Sequence, residues 1–388
     1  MLRKHFAGEN ENVSDDKNAK GDDQHVPEAE DKSITAVSIE LLYDGMVVQN
    51  DIFDATGSKL LVRKGNELGV LQIENIKRLN NGKDTIYVTN RTKSAMLAKR
   101  PNIDIDSRGQ IEEATGYTEA KDETLNILEE IANNKNINQE SLKEVSQELS
   151  EQLKVTSPEV ILSIINALAP VDEYLQRHST NVALLNGLIG RWMGLTNDLV
   201  DTLVLVGLLH DCGKALIPPK VLNATRALSL VEYEVVKMHA VYTYELLSDF
   251  PETIKVAAGG HHERLDGKGY PNGIMGDKIA MEARITAISD IYDAMVSQRS
   301  YKPPRSPFRI MAYLKKLSGN EIDPDIASIF IKNMPKGLMN KPVMMSDGTI
   351  GILRDYDEAD IEYPMVETGG NVRKTDKDFY CVSMFTDD

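Results

Sequence analysis

The chain has 388 residues, 41% of them hydrophobic, enough for about two or three domains with a real core in at least one. A formal charge of −16 works against binding a nucleic-acid polymer through bulk electrostatics, so any phosphate the chain handles needs local cations. Its two cysteines, Cys212 and Cys381, lie far apart without framework spacing, which argues against a disulfide scaffold and fits a reducing cytoplasm.

The first residues, MLRKHFAGENENVSDD, lack the apolar run of a signal peptide, and no stretch reaches the roughly 18 apolar residues of a membrane span. A cytoplasmic protein without a membrane span is expected. Residues 1–33 are charged, amide-rich and poor in large apolar side chains; they cannot bury enough surface to offset chain entropy and read as a disordered acidic tail. Over residues 34–92 short apolar runs alternate with turn signals such as Asp44-Gly45 and Asn80-Asn81-Gly82. The segment ELLYDGMVVQNDIFDATGSKLLVRKG predicts strands, LGVLQIENIKRL a helix and DTIYVTN a closing strand, together a small α+β module. Residues 93–120 are polar and aperiodic, as in a linker.

From Lys121 the period turns helical, with Leu125, Leu128 and Ile131, then Leu142, Val145, Leu149 and Leu153. These connecting helices, residues 121–155, could support a homodimer or pack within one chain. Ser157-Pro158 starts the next helix as cap and first-turn proline, and helices dominate residues 156–335. Residues 336–388 return to short β-like runs around SDGTIGIL, YPMV and FYCVSMF. The expected fold is mainly α: an all-helical metal-binding bundle with an N-terminal α+β module and a small C-terminal β appendage.

Of seven histidines, two (His5 and His25) fall in the tail, while His178, His210, His239, His261 and His262 all fall in the helical region. A single histidine is usually a hydrogen-bonded core residue; five together point to metal. His210-Asp211 ends the apolar helix LVLVGLLHDCGK, where an unpaired buried carboxylate would be costly and a cation removes that cost. His178 begins HSTNVALLNGLIGRWM and His239 lies within LVEYEVVKMHAVYTYELL; single ligands on separate helices are how bundles build metal sites. His261-His262 follow Gly259-Gly260, and Asp290 lies one turn before Asp293 on the same helix face. With Asp211 and Asp290, the five imidazoles make seven donors, too many for one tetrahedral ion and suited to two divalent ions sharing a bridge. Such donors admit iron, manganese, zinc, nickel or cobalt.

Lys214 lies three residues after Asp211, and Arg299 and Lys302 follow Asp290 near a helix end; beside a metal site they suit phosphate oxygens. In HHERLDGKGYPNG the glycines permit tight turns and close approach to a ligand, and Tyr270 offers a ring or a phenol.

HDCGK, HHERLDGKGYPNG and DIYDAMVSQRSYK, across roughly Glu159 to Asn333, resemble the HD-GYP family, the HD-type metal phosphohydrolases that hydrolyse cyclic di-GMP. The resemblance implies metal ligands at His178, His210, Asp211, His239, His261, His262 and Asp290, catalytic roles for Asp211 and Lys214, and substrate contacts from Lys214, Asp293, Arg299, Lys302 and the loop residues Gly269, Tyr270 and Pro271. It implies two divalent ions, with iron or manganese expected. Members with a third ion carry a glutamate four residues before the first ligand histidine; Tyr174 stands there, which speaks against that ion. YDGMVVQNDIFDATGSKLLVRKG is similar to an accessory domain found upstream of such catalytic domains. The implied reaction is attack of a water activated between two metals on cyclic di-GMP, giving linear pGpG, with a second cut to GMP left open. A diguanylate cyclase or another signalling protein is a conceivable partner. Two alternatives stay open: another cyclic dinucleotide such as 3′,3′-cGAMP, or a non-catalytic dinucleotide-binding module.

Overall fold

The computed structural model describes residues 35–38, 46–53, 60–66, 68, 73, 76, 85–90, 116–134, 137–166, 174–224, 228–297 and 305–384. The acidic tail, most of the linker, Arg299 and Lys302 lie outside the described residues. The fold is a mainly α-helical bundle with small β elements at either end of the sequence.

Near the N-terminus, β1 (Thr35–Ser38), β2 (Met46–Val48) and β5 (Thr85–Asn90) form an antiparallel sheet ordered β1-β5-β2. Strands β3 (Ile52–Phe53) and β4 (Leu60–Val62) pair separately. Of the helix expected after them Leu68, Ile73 and Ile76 are described; all three are buried, and Ile73 and Ile76 are helical.

The bundle begins with α1 (Tyr117–Asn134) and α2 (Gln139–Val155). Helix α1 starts ahead of Lys121, inside the stretch that reads as linker, because Tyr117 is buried and its hydroxyl has a partner in the bundle. Asn138 caps α2 by accepting from the Glu140 and Ser141 amides, a common way to satisfy first-turn donors. The stripe Leu142, Val145, Leu149 and Leu153 is buried within the chain, in one core with the following helices. Helix α3 (Pro158–Asn166) does open on its proline. Then come α4 (Tyr174–Trp192), α5 (Asn197–Leu209), a 3-10 turn (Cys212–Leu216) and the single turn α6 (Pro219–Leu222). Helix α7 (Leu230–Leu246) starts at a reciprocal capping box between Ser229 and Glu232. Helices α8 (Glu252–Gly259), α9 (Met281–Val296), α10 (Pro307–Leu317) and α11 (Pro324–Asn333) complete the bundle.

At the C-terminus, β6 (Pro342–Met345), β7 (Ile350–Asp355), β8 (Met365–Thr368), β9 (Asn371–Lys374) and β10 (Cys381–Met384) form an antiparallel sheet ordered β10-β6-β7-β8-β9. Its inner residues Val343, Met345, Leu353, Val366 and Cys381 join the same apolar cluster as the helices, so the sheet closes the bundle's core. No helix among the described residues is long and apolar enough to cross a membrane.

Phe330 on α11 is fully buried, edge-on to Trp192 of α4 and Tyr292 of α9, with centroids 6.3 and 5.1 Å away. Truncation there leaves a cavity between three helices. Phe330→Ala should cost about 3–5 kcal/mol, read as a lower urea midpoint at unchanged m-value.

Candidate metal centre

Five elements deliver the donors. His178 lies in the second turn of α4 rather than at its start, since the helix begins at Tyr174, whose side chain is outside the described residues. His210 caps the end of α5, and Asp211 leads into the 3-10 turn. His239 sits inside α7, His261 and His262 follow the end of α8, and Asp290 is on α9. Gly213 lets the 3-10 turn lie against α7: a Cβ there would collide with the His239 carbonyl and the Thr243 amide. The Thr243 hydroxyl ties the two together, accepting from the Gly213 amide at 3.0 Å and donating to the His210 carbonyl at 3.1 Å.

Backbone acceptors fix the imidazoles. Nδ1 of His210, His239 and His261 each faces a carbonyl three residues back, Gly207 at 2.7 Å, Val236 at 2.6 Å and Ala258 at 2.6 Å. A carbonyl only accepts, so the proton sits on Nδ1 and Nε2 presents a lone pair. His178 Nδ1 lies 2.7 Å from Asp293 Oδ2, which turns its Nε2 toward the same centre.

These lone pairs meet. His178 Nε2 is 3.2 Å from His210 Nε2, and each is 3.3 Å from Asp211 Oδ2. His239 Nε2 and His261 Nε2 lie 3.4 and 3.8 Å from Asp211 Oδ1. Asp290 Oδ1 is 3.3 Å from His178 Nε2, and its Oδ2 is 3.9 Å from His262 Nδ1. Asp211 Oδ1, His239 Nε2 and His261 Nε2 are buried without a hydrogen-bond partner. Acceptors facing acceptors in a dry interior are costly unless a cation lies between them. Two donor groups result, His178-His210-Asp211 and Asp211-His239-His261-His262, with Asp211 common to both. They fit a binuclear divalent-metal site.

Electrostatics agree. Burial works to raise the Asp211 carboxyl, but Lys214, His210 and His178 hold it well below the usual carboxylate range. Asp290 is likewise held low by His178, His262 and His210 against its burial. Burial first, then His210, pushes His261 down to about 3; burial also lowers His262 and His239.

Lys214 reaches Asp211 Oδ2 from a partly exposed position, as its spacing predicts. Asp293, which the resemblance expects to meet substrate, is fully buried behind His178 and also accepts from Asn181 Nδ2 at 2.7 Å, so that its carboxylate orients the His178 imidazole. Asp290 and Asp293 do share a helix face, but His178 inserts between them.

Gly269, Tyr270 and Pro271 lie beside the centre. The Tyr270 ring covers His262, with centroids 4.5 Å apart and planes 30° apart, while Lys237 sits 5.6 Å from the Tyr270 centroid. A Cβ on Gly269 would fall within 2.5 Å of Glu263 Cα and the His262 carbonyl oxygen, so only glycine allows the loop to fold this closely. Glu263, which the sequence pattern does not mark, pins the loop by accepting from the Asn272 amide at 2.7 Å and the Ile274 amide at 2.9 Å. Asn181, which the motifs also do not mark, holds Asp293 by its Nδ2 bond; it follows the polar run Gln176 to Thr180, so its position in the sequence does not single it out.

Residues 138–326 match the family described as HD domain. Just under half of the chain is thus similar to HD domains. The chain is similar to a Vibrio cholerae protein named 3′3′-cGAMP-specific phosphodiesterase 2, 31% identical over 48% of this chain and 36% of the relative. It is also similar to a Thermotoga maritima protein named cyclic di-GMP phosphodiesterase, 34% identical over 44% of this chain and 48% of that protein. The chain thus spans about half or less of the length of these relatives. Among solved structures, Bd1817, an HDG"Y"P protein from Bdellovibrio bacteriovorus, aligns over 76% of this chain and 98% of its own, at 14% identity and TM-score 0.47.

Each depressed group sits below its unfolded value, so between the two values the unfolded chain binds more protons and stability falls as pH falls. For His261 the window runs from about 6.5 down to about 3. In metal-free protein this group alone should remove about 1.4 kcal/mol per pH unit below about 6. Urea midpoints at pH 7.5 and 5.5 should drop more steeply for the wild type than for His261→Gln. Separately, Asp293→Ala should weaken metal binding about 10- to 100-fold by freeing His178, measured by competition with a chelator.

Proposed function

We propose that this chain is a cytoplasmic, metal-dependent phosphodiesterase that opens cyclic di-GMP to linear pGpG, with a second cut giving GMP. The reading is carried by the partnerless lone pairs of His239 and His261 facing Asp211 Oδ1 in a buried site. His178, His210, Asp211 and Asp290 would hold one divalent ion, and Asp211, His239, His261 and His262 the other, with iron or manganese the expected metals. When bound, the two ions supply Lewis acidity and lower the pKa of a water to give a nucleophile.

The chain's own groups do the rest. Asp211 ties the two donor sets together, so loss of its carboxylate disturbs both. Lys214 is partly exposed beside Asp211 and would offset charge on phosphate oxygens as it develops. Arg299 and Lys302 are assigned the same task from their place in the sequence. Tyr270, held on His262 by the Gly269–Pro271 backbone, walls the centre on the side of the loop and limits water there.

A second reading, hydrolysis of 3′,3′-cGAMP, is favoured by the names of relatives such as the Vibrio cholerae protein. Metal-loaded protein incubated with each dinucleotide and resolved by chromatography separates the two. Preferential conversion of cyclic di-GMP to pGpG is expected. Tight binding without product would point to a receptor and defeat the enzymatic reading. Asp211→Ala should lower kcat at least about 10³-fold, the several kcal/mol expected of lost metal catalysis; near-normal turnover by that variant under metal-controlled conditions would refute the mechanism.

A further inference from the structure

Three of the imidazoles are oriented by backbone carbonyls, which no side-chain substitution can remove. His178 is oriented by a side chain, and that side chain belongs to a longer series. The Tyr117 hydroxyl donates to Asn181 Oδ1 at 2.7 Å, Asn181 Nδ2 donates to Asp293 Oδ1 at 2.7 Å, and His178 Nδ1 donates to Asp293 Oδ2 at 2.7 Å. All four residues are 3% exposed or less. Hydrogen bonds in so dry a setting are strong and directional.

Tyr117 grips α4 on the other side of His178 as well. The Arg177 guanidinium lies over its ring, 5.0 Å from the centroid, and Arg177 donates to the Ile164 carbonyl at 2.8 Å. The residue before His178 and the residue one turn after it therefore both rest on Tyr117. Two turns along α1 from Tyr117, Thr124 accepts from the Thr180 hydroxyl of α4 at 3.3 Å. Tyr117 is the first residue of α1 and follows Gly116, which has a φ of +67° and lies so close to Glu148 that a Cβ would meet its carboxylate at 2.7 Å. The geometry at the start of α1 is thereby fixed on both sides of the peptide.

We propose that Tyr117 is a positioning residue for His178, acting through Asn181 and Asp293, and that the first turn of α1 is a control point for one half of the metal centre. The proposal rests on the metal-centre reading above and is independent of which dinucleotide is cleaved. It predicts asymmetry. Within the His178-His210-Asp211 donor set it is His178 that depends on Tyr117, whereas His210, His239 and His261 are held by carbonyls. A shift of the first turn of α1, such as the preceding chain could impose, would loosen one ion and leave the other in place.

The test is a titration of metal-free full-length protein with Mn²⁺ against a competing chelator, resolving two affinities. Tyr117→Phe keeps the ring under Arg177 and removes only the hydroxyl. It should weaken one site about three- to tenfold and leave the other within about twofold. Asn181→Leu should weaken the same site about 10- to 100-fold. Adding Tyr117→Phe to Asn181→Leu should then change nothing further, because the hydroxyl acts through the amide. Equal weakening of both sites, unchanged affinities in Tyr117→Phe, or an undiminished Tyr117→Phe effect in the Asn181→Leu background would overturn the proposal. So would a lower Tm in Tyr117→Phe with both affinities intact, which is the signature of a purely structural tyrosine. Wild-type protein that takes up no Mn²⁺ would overturn the metal-centre reading and this proposal together. Two normal Mn²⁺ sites without dinucleotide hydrolysis would remove the substrate assignment and leave the Tyr117 result standing.

Discussion

The structure depends on one electrostatic constraint: several lone pairs point at each other across 3 to 4 Å in a largely buried space. His178 Nε2 faces His210 Nε2 at 3.2 Å, and Asp211 takes its place between the two donor sets. A protein interior tolerates such an arrangement only with positive charge at its centre. The rigid apolar helices around it serve that end. Buried Leu203, Val204 and Leu208 fix α5, Leu184, Leu185 and Leu188 fix α4, and Ile285 and Ile288 fix α9, so His210, His178 and Asp290 are each held by a packed element.

Helix ends supply the second half of the device. The last carbonyls of a helix have no intrahelical donor. Gly207 and Ala258 lie in the last turns of α5 and α8, and the imidazoles of His210 and His261 satisfy them. One hydrogen bond thus completes a helix terminus and fixes a tautomer. His239 uses the same i−3 geometry inside α7, where the Val236 carbonyl offers its second lone pair. The loop from His261 to Gly273 is then folded back by Glu263, whose carboxylate collects two loop amides and leaves Tyr270 lying on His262.

The clustered donors of the candidate site were legible in the sequence because their chemistry is rare: histidine is scarce in this chain, and five of its seven copies gather in one helical region. The bundle and the C-terminal strands were legible from periodicity. What sequence could not give was direction. Helical spacing put Asp290 and Asp293 on one face, yet it could not say that a ligand from another helix would insert between them, one carboxylate meeting Nε2 and the other Nδ1. The start of α1 was hidden for a similar reason. Tyr117 follows a polar, aperiodic stretch and Gly116, and its helical state is decided by a hydrogen bond to Asn181, 64 residues away. Glu263 read as a loop charge because its partners are backbone amides, which carry no sequence signature.

Burial also decides the competition between protons and metal ions for the same lone pairs. On a surface, a histidine near neutral pH accepts a proton at little cost, and a cation must displace it. Here, burial beside His210 pushes His261 down to about 3, and His239 and His262 are lowered in the same way. Protonating them one by one would place charges against each other in a dry cavity. A divalent ion instead serves several donors at once and is balanced by Asp211 and Asp290, which Lys214 and the imidazoles keep ionised. The low dielectric that makes unshared lone pairs costly therefore favours a cation over protons among these donors at neutral pH, and a cation bound there would be tied to folding of the bundle.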